Sequence, residues 1–157
     1  MTTTDPPTDA GARTGADAHG PTGARGYLHG FTPREQERLY HQARFMEQRV
    51  HESLPFQRSR RLLEIGCGVG AQTEILLRRF PDLHVTGVDA SRTNLDRAIE
   101  HLRGQPWTAG RYEHALQDAG DLDFEAESFD GAFLCWVLEH VSSPSRVLAE
   151  VRRVLRP

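Results

Sequence analysis

Lysine is absent from this sequence, and all 19 of its basic residues are arginines. The chain therefore has no lysine side chain that could serve as a catalytic base. Acidic residues number 22, which gives a formal net charge of -3 and leaves no excess of positive charge for binding nucleic acid. A length of 157 residues with this composition is typical of one domain that handles small metabolites.

Cysteines and long apolar runs are also scarce. Cys67 and Cys135 are the two cysteines, and their separation fits neither a zinc site nor a disulfide framework. No apolar run approaches the roughly 20 residues of a membrane span, and the first residues lack the apolar centre of a signal peptide. We therefore expect a cytoplasmic protein with no metal centre and no contact with a membrane.

The composition divides the chain into three segments. Residues 1–25 are mainly Thr, Ala, Gly, Pro and Asp, and they offer little apolar surface to bury. We expect a disordered tail there, because folding would not offset the lost conformational entropy. Residues 26–57 are predicted to be a helical segment, and residues 58–157 are predicted to hold the main domain.

The helical segment has a clear start signal. Thr32, Pro33 and Glu35 fit an N-cap, a first helical proline and a capping-box acid. A stripe of apolar residues at spacings of three and four then predicts a long helix that ends near Pro55: Leu39, Ala43, Met46, Val50 and Leu54. Two roles stay open for this helix, which are packing on the main domain and forming a lid over a substrate pocket.

Residues 58–157 alternate between strand and helix patterns. Apolar runs predict strands over residues 62–65, 83–88, 112–116 and 129–135. Helices are predicted from Gln72 to Phe80, between Ser91 and Gly104, and after Ser143, which we expect to cap the last helix. This alternation implies an α/β fold with a doubly wound parallel sheet, whose strand carboxyl ends share the edge where ligands bind.

A glycine loop follows the first strand. Gly66, Gly68 and Gly70 occupy alternate positions, so the backbone there carries no side chains that would keep a ligand away. The helix after the loop directs its free N–H groups and positive dipole end toward a ligand on the loop. The pattern indicates a nucleotide-cofactor site, but Gly66, Gly68 and Ala71 also fit the motif of NAD-dependent dehydrogenases.

Two acidic residues refine this interpretation. Glu64 lies two residues before Gly66 in an otherwise apolar strand, where it can face an ammonium group and would repel a pyrophosphate. Asp89 ends the second strand, 19 residues after Gly70, where a carboxylate can accept both ribose hydroxyls. Asp89 is common to both cofactor classes, whereas Glu64 favours the ligand that carries an ammonium group.

Five sequence blocks follow one another in a fixed order along residues 61–157. They are ExGxGxG at 64–70, GVDAS at 87–91, QDA at 117–119 with SFD at 128–130, VLEHV at 137–141 and LxExxRVLRP at 148–157. Together they resemble the class I S-adenosylmethionine-dependent methyltransferases, in the small-molecule branch similar to the ubiquinone and menaquinone methyltransferases. The resemblance implies a Rossmann-like sheet, S-adenosylmethionine as cofactor and a small-molecule methyl acceptor as partner.

The resemblance also assigns residues to the methionine end of the cofactor. It implies that Gly66, Cys67 and Gly68 offer their backbone to this part, with Glu64 beneath it. Cys135, at the end of the fourth strand, would present its carbonyl toward the same end. For Cys67 and Cys135 we expect the side chains to serve only in packing.

Other residues are assigned to the rest of the cofactor. The resemblance implies that Asp89 holds the ribose, that Ala90 packs near the adenine, and that Asp118 with the backbone of Ala119 reads the adenine amino edge. In this family the segment before the first strand commonly contributes to substrate binding. Within that segment, Tyr27 is the residue that we expect to contact the cofactor carboxylate.

Methyl transfer from a sulfonium needs few catalytic side chains. It is an in-line displacement that depends on proximity, orientation and exclusion of water. A general base is optional, and His140, which lies beyond the fourth strand, is the candidate. A structural hydrogen bond is the competing role for His140. Leu138 is expected to border the reacting methyl group.

Relatives in this family continue beyond the position of Pro157 with further strands, in the sheet order 3-2-1-4-5-7-6. The sequence therefore predicts a truncated methyltransferase domain with the order 3-2-1-4 and an unpaired fourth strand, which invites pairing. We expect a fragment of a longer enzyme, or a chain completed at that edge by a homo-oligomer or by another chain. Two alternatives stay open, a non-catalytic cofactor-binding fragment and, less favoured, an NAD-dependent oxidoreductase.

Overall fold

A computed structural model describes residues 32–157. The four strands are β1 (Arg61–Ile65), β2 (His84–Asp89), β3 (Tyr112–Leu116) and β4 (Gly131–Leu134). The four α-helices are α1 (Pro33–His51), α2 (Ala71–Arg79), α3 (Arg92–Arg103) and α4 (Pro144–Val154), with short 3-10 turns at Phe56–Arg58 and Pro106–Thr108. The predicted tail of residues 1–25 and the first part of the 26–57 segment, including Tyr27, lie outside the described residues.

The four strands form one parallel sheet in the order β3-β2-β1-β4. This confirms the predicted α/β class and the order 3-2-1-4. Ile65 at the end of β1 is in register with Val88 of β2 and Leu134 of β4. The carboxyl ends of these three strands therefore meet at one edge, immediately before the glycine loop.

Both faces of the sheet are covered, as the apolar strand sequences predicted. On one face Leu62, Val85 and Phe133 pack with Leu76 and Leu77 of α2. On the other face the buried residues of β1 and β2 pack with α4, and the members of this second cluster include Leu63, Ile65, Val88, Val147, Val151 and Val154. The glycine loop therefore begins directly after a buried central strand. Within residues 32–157 no helix combines the length and the apolar character needed to cross a bilayer.

Strand β4 lies at an edge of the sheet and, within the described part of the chain, pairs with β1 alone. It is shorter than the predicted 129–135. Phe129 instead forms a single parallel bridge with Leu155, and the Asp130 carboxylate accepts hydrogen bonds from the backbone N–H groups of Arg60 and Arg61 at 2.9 and 2.8 Å. The Asp130 N–H also donates to the Arg61 carbonyl oxygen at 2.9 Å, so the side chain of Asp130 adds to the backbone pairing with β1 at the start of this run.

Two of the three predicted helix caps are confirmed. The hydroxyl of Thr32 accepts a hydrogen bond from the Glu35 N–H, and the hydroxyl of Ser91 accepts one from the Asn94 N–H, each at 3.3 Å. Ser143 occupies the predicted N-cap position before Pro144, but its hydroxyl makes no capping bond to helix α4. It lies instead 3.3 Å from the hydroxyl of Ser145.

Helix α1 packs against helix α2 and the glycine loop. Its Ala43 is buried in a small apolar cluster with Val69, Ala71 and Ile75, and Glu47 forms ion pairs with two arginines at the end of α2. The helix ends at His51, four residues before Pro55. These contacts support the packing role of α1, while its role as a lid stays a prediction.

Candidate functional site

The glycine loop between β1 and α2 forms a backbone cradle. Gly66, Gly68 and Gly70 have positive φ values of 68, 55 and 79°, which side chains rarely tolerate. The N–H groups of Gly66 and Cys67 donate to the Val88 carbonyl oxygen at 2.7 and 3.0 Å, so the loop is attached to the end of β2. A Cβ atom on Gly68 would meet no heavy atom of residues 32–157 within 4 Å. The backbone at Gly68 therefore faces open space that a ligand can fill.

Asp89 lies at the end of β2 and connects two loops. One carboxylate oxygen accepts a hydrogen bond from the Gly68 N–H at 2.9 Å, and the other accepts one from the Ser91 N–H at 2.8 Å. Partial burial raises the pKa of this carboxyl, although the two N–H groups act against the rise. Each carboxylate oxygen retains a second lone pair that can accept a hydroxyl. Asp89 is therefore both a brace for the loop and a potential ribose ligand.

Glu64 is fully buried in β1, directly before the loop. The Thr73 hydroxyl on α2 donates to one of its oxygens at 2.5 Å. Burial raises the pKa of Glu64 to about 8, Thr73 lowers it, and the nearby Asp89 charge raises it. Glu64 therefore keeps its proton to a higher pH than an exposed glutamate does, and its expected role beneath an ammonium group stays a prediction.

The raised pKa of Glu64 makes stability depend on pH. In the unfolded chain this carboxyl ionises near its ordinary value of about 4.3, whereas in the fold it keeps its proton to about 8. Its contribution is therefore full below about pH 4 and declines as pH rises toward 8, by up to about 1.4 kcal/mol per unit. We expect Glu64→Gln, which cannot ionise, to lack this decline when urea unfolding is compared from pH 5 to 8. Parallel curves for the two proteins would contradict the buried, protonated state.

Cys67 is packed rather than exposed. Its thiol lies against Gly87 of β2, where an added Cβ would be 2.9 Å from Sγ. Burial raises the pKa of the thiol well above its ordinary value. The same space is bordered by the ring of Tyr112, 3.2 Å from that Cβ position. These contacts support a packing role for the Cys67 side chain and leave the loop backbone for binding.

The residues assigned to the adenine follow neighbouring strands. Ala90 comes directly after β2, and Asp118 and Ala119 come shortly after β3. The Gln117 N–H donates to the Asp89 carbonyl oxygen at 3.2 Å, which joins the two strand ends. The exposed Asp118 shapes a tight turn by accepting a hydrogen bond from the Gly120 N–H at 2.8 Å. The structure thus brings Ala90, Asp118 and Ala119 to the same sheet edge as Asp89.

The loop after β4 borders the opposite side of the cradle. Cys135 is half-buried, and burial raises the pKa of its thiol to about 11. Val137 packs against the loop, because a Cβ on Gly66 would lie 2.6 Å from Val137 Cγ2. A hollow of about 310 Å³ opens beside it, and its lining residues are Leu134, Trp136, Val137, Leu138 and Glu139.

His140 follows this loop and is partly buried. Its backbone N–H donates to the Val137 carbonyl oxygen at 2.9 Å, and the ring atom Nε2 lies 3.4 Å from a Glu139 carboxylate oxygen. The structure thus places the imidazole next to the loop that packs on Gly66. A role in catalysis stays a prediction.

Several residues of the site were not predicted. Thr73 could have been noticed as a polar residue on a helix face that must pack on β1. Trp136 has a positive φ of 54°, and nothing in the sequence indicated this conformation. Val137 was recognised only as part of a motif, because its contact with Gly66 depends on the packing of β4 beside β1. Among residues 32–157 no group of three or more His, Cys, Asp or Glu side chains is arranged to hold a metal ion.

The fold and the site define a Rossmann-like protein with a loop for a nucleotide-type cofactor. The model of a methyltransferase domain family matches residues 63–157. This match covers more than half of the chain, which therefore belongs to that methyltransferase family. The predicted family resemblance is confirmed.

Two curated relatives illustrate the similarity, and both are named as methyltransferases. The O-methyltransferase rstn1 of Aspergillus nomiae is 32% identical over 108 residues, which cover 69% of this chain and 47% of the relative. A trans-aconitate 2-methyltransferase of Rhodopseudomonas palustris is 35% identical over 96 residues, which cover 60% of this chain and 36% of the relative. The chain spans less than half the length of these relatives.

Solved structures agree in fold. An S-adenosylmethionine-dependent methyltransferase from Aquifex aeolicus superposes with a TM-score of 0.70 at 18% identity, covering 82% of this chain and 69% of the other. A phosphoethanolamine N-methyltransferase from Haemonchus contortus, solved with S-adenosyl-L-methionine, gives a TM-score of 0.59 at 28% identity, covering 74% of this chain and 26% of the other. The Rossmann-like prediction is confirmed.

Proposed function

We propose that this protein binds S-adenosylmethionine at the glycine loop and transfers its methyl group to a small-molecule acceptor. The observation that carries the proposal is the arrangement of Asp89, which holds the Gly68 N–H while the backbone at Gly68 faces open space. Family membership supports the same cofactor. The curated relatives that act on small molecules, such as trans-aconitate, support the acceptor class.

The residues present fit this cofactor. Gly66, Cys67 and Gly68 form a backbone surface that would hold the methionine part, and Asp89 offers carboxylate lone pairs for the ribose hydroxyls. Asp118 and Ala119 lie at the neighbouring strand end, where they would meet the adenine. Because these groups come from the ends of adjacent parallel strands, their spacing is set by the sheet and needs little rearrangement.

When bound, S-adenosylmethionine supplies a methyl group that its sulfonium has already activated for displacement. The protein's part is to position two reactants and to exclude water. The apolar residues Leu134, Val137 and Leu138 border the hollow beside the loop and would exclude water from an acceptor there. His140 is available to take a proton from an acceptor that must lose one.

A titration calorimetry experiment on the 157-residue chain tests the cofactor assignment. We expect S-adenosylhomocysteine to bind with a dissociation constant in the micromolar range, and NADH to bind far more weakly. Preferential binding of NADH would favour the oxidoreductase alternative and overturn this proposal. Incubation of the chain with S-adenosylmethionine and a panel of small acceptors, followed by mass spectrometry, would then measure transfer.

A non-catalytic cofactor-binding role is the second candidate. The contacts that carry the proposal lie at the glycine loop and at Asp89 and concern cofactor binding, whereas the catalytic role of His140 stays a prediction. This candidate predicts cofactor binding without turnover on any acceptor. We also propose that the edge of β4, which within residues 32–157 pairs with β1 alone, takes a further strand from a second copy, from another chain or from more of the same polypeptide.

We propose a cytoplasmic location, because both cysteines are free thiols and reducing compartments keep thiols in that state.

A further inference from the structure

Tyr40 on helix α1 connects this helix to the glycine loop. Its hydroxyl donates a hydrogen bond to the Val69 carbonyl oxygen at 2.7 Å. Val69 is buried and lies between Gly68 and Gly70, which both have positive φ values. A carbonyl in such a loop lies outside regular secondary structure, so its hydrogen bonding depends on a partner from elsewhere. Tyr40 supplies that partner from 29 residues earlier in the chain.

The Tyr40 ring packs against helix α3. Its centroid lies 4.3 Å from that of the His101 ring on α3. His101 Nε2 lies 2.7 Å from a carboxylate oxygen of Glu74 on α2, and Arg44 of α1 lies 4.0 Å from the same oxygen. The ring therefore packs on a His101 side chain that Glu74 holds from α2, and Arg97 of α3 also interacts with the hydroxyl. Burial raises the pKa of Tyr40 to about 12, so the hydroxyl keeps its proton and remains a donor at neutral pH.

We infer that Tyr40 is a positioning residue, which holds the glycine loop in its cofactor-binding conformation through the carbonyl oxygen of Val69. The inference rests on the proposed function and goes beyond it, because the family match at residues 63–157 does not include helix α1. Glycines at three of five loop positions give the loop little conformational preference of its own. Without the bond from Tyr40, the loop populates other conformations. The measured affinity for the cofactor then falls in proportion to the fraction of molecules whose loop has the binding conformation.

The test compares Tyr40→Phe with the wild-type chain. Phenylalanine keeps the ring on His101 and removes only the hydroxyl. We expect the dissociation constant for S-adenosylhomocysteine, measured by calorimetry, to rise about 5- to 30-fold. We also expect faster hydrogen exchange of the amides of residues 66–70 in the ligand-free protein.

Two control variants separate positioning from general stability. Thr108→Val removes another buried hydroxyl, which donates to the Leu102 and Gln105 carbonyl oxygens at 2.7 and 2.8 Å beyond α3. Val50→Ala loosens α1 where it packs on a separate apolar cluster that contains no residue of the glycine loop, and it keeps the Tyr40 hydroxyl. We expect both to leave the affinity within about twofold of the wild type and the exchange of residues 66–70 unchanged.

Equal affinity and equal loop exchange in Tyr40→Phe and the wild type would overturn the inference. Effects in Val50→Ala as large as those in Tyr40→Phe would overturn it too. If the wild-type chain binds no S-adenosylhomocysteine, the proposed function fails. Loop exchange in the ligand-free protein then still decides whether Tyr40 holds the loop.

Discussion

Asp89→Ala is expected to weaken binding of S-adenosylhomocysteine by at least about 100-fold. The carboxylate would supply two charge-assisted hydrogen bonds to the ribose, each contributing about 1.5 to 3 kcal/mol. It also holds the Gly68 and Ser91 N–H groups at 2.9 and 2.8 Å, so its removal frees the loop as well. Titration calorimetry on the folded variant measures the loss.

Two further variants sharpen the Asp89 experiment. Asp89→Asn keeps the size of the side chain and one of its oxygens, but its NH2 group must face either the Gly68 or the Ser91 N–H. We therefore expect its affinity to lie between those of the wild type and Asp89→Ala. Asp123→Ala removes an exposed carboxylate from the loop between β3 and β4, and we expect it to bind like the wild type. Binding by Asp89→Ala within a few fold of the wild type would show that the cofactor lies elsewhere.

Gly66→Ala is expected to abolish cofactor binding and to lower the free energy of unfolding by about 2 to 5 kcal/mol. A left-handed conformation at a residue with a Cβ costs about 1 to 2 kcal/mol, and overpacking adds about 1 to 3 kcal/mol. The overpacking arises because the new Cβ would lie 2.6 Å from Val137 Cγ2 and 2.9 Å from Val137 Cβ. Urea unfolding and calorimetry measure the two effects.

Gly110→Ala is the matched control for this substitution. Gly110 has a similar φ of 72°, but a Cβ there would meet no heavy atom of residues 32–157 within 4 Å. Gly110→Ala should therefore lose only the free energy of unfolding that the left-handed conformation costs, and it should bind the cofactor like the wild type. Val137→Ala combined with Gly66→Ala removes the closest methyl group and should recover part of the lost stability. Equal destabilisation by Gly66→Ala and Gly110→Ala would disprove the contact with Val137.

The local elements followed closely from the sequence. The run Tyr112–Leu116 forms β3 with the predicted limits, and Thr32 and Ser91 cap their helices. These features depend on residues near one another in the chain, so the pattern contains the required information. Ser143 also occupies its predicted N-cap position, but its hydroxyl lies against that of Ser145 and makes no capping bond.

Position along the sheet edge was also predictable. Parallel strands connected by helices bring their carboxyl ends together, so Gly66, Asp89, Asp118 and Cys135 had to follow neighbouring strand ends. The family resemblance then assigned these positions to parts of one cofactor. Their locations are those expected, while their individual contacts with a ligand stay predictions.

The glycine loop from Gly66 to Gly70 shows where the sequence alone was sufficient and where it was not. Its glycines and its place after a buried strand determined that the backbone would be open to a nucleotide-type ligand. Only the tertiary structure decided what holds that backbone: Thr73 with Glu64, Val137 against Gly66, and Tyr40 on the Val69 carbonyl. These partners are brought together by helix and strand packing, and a local pattern does not encode which distant side chain will meet a given loop atom.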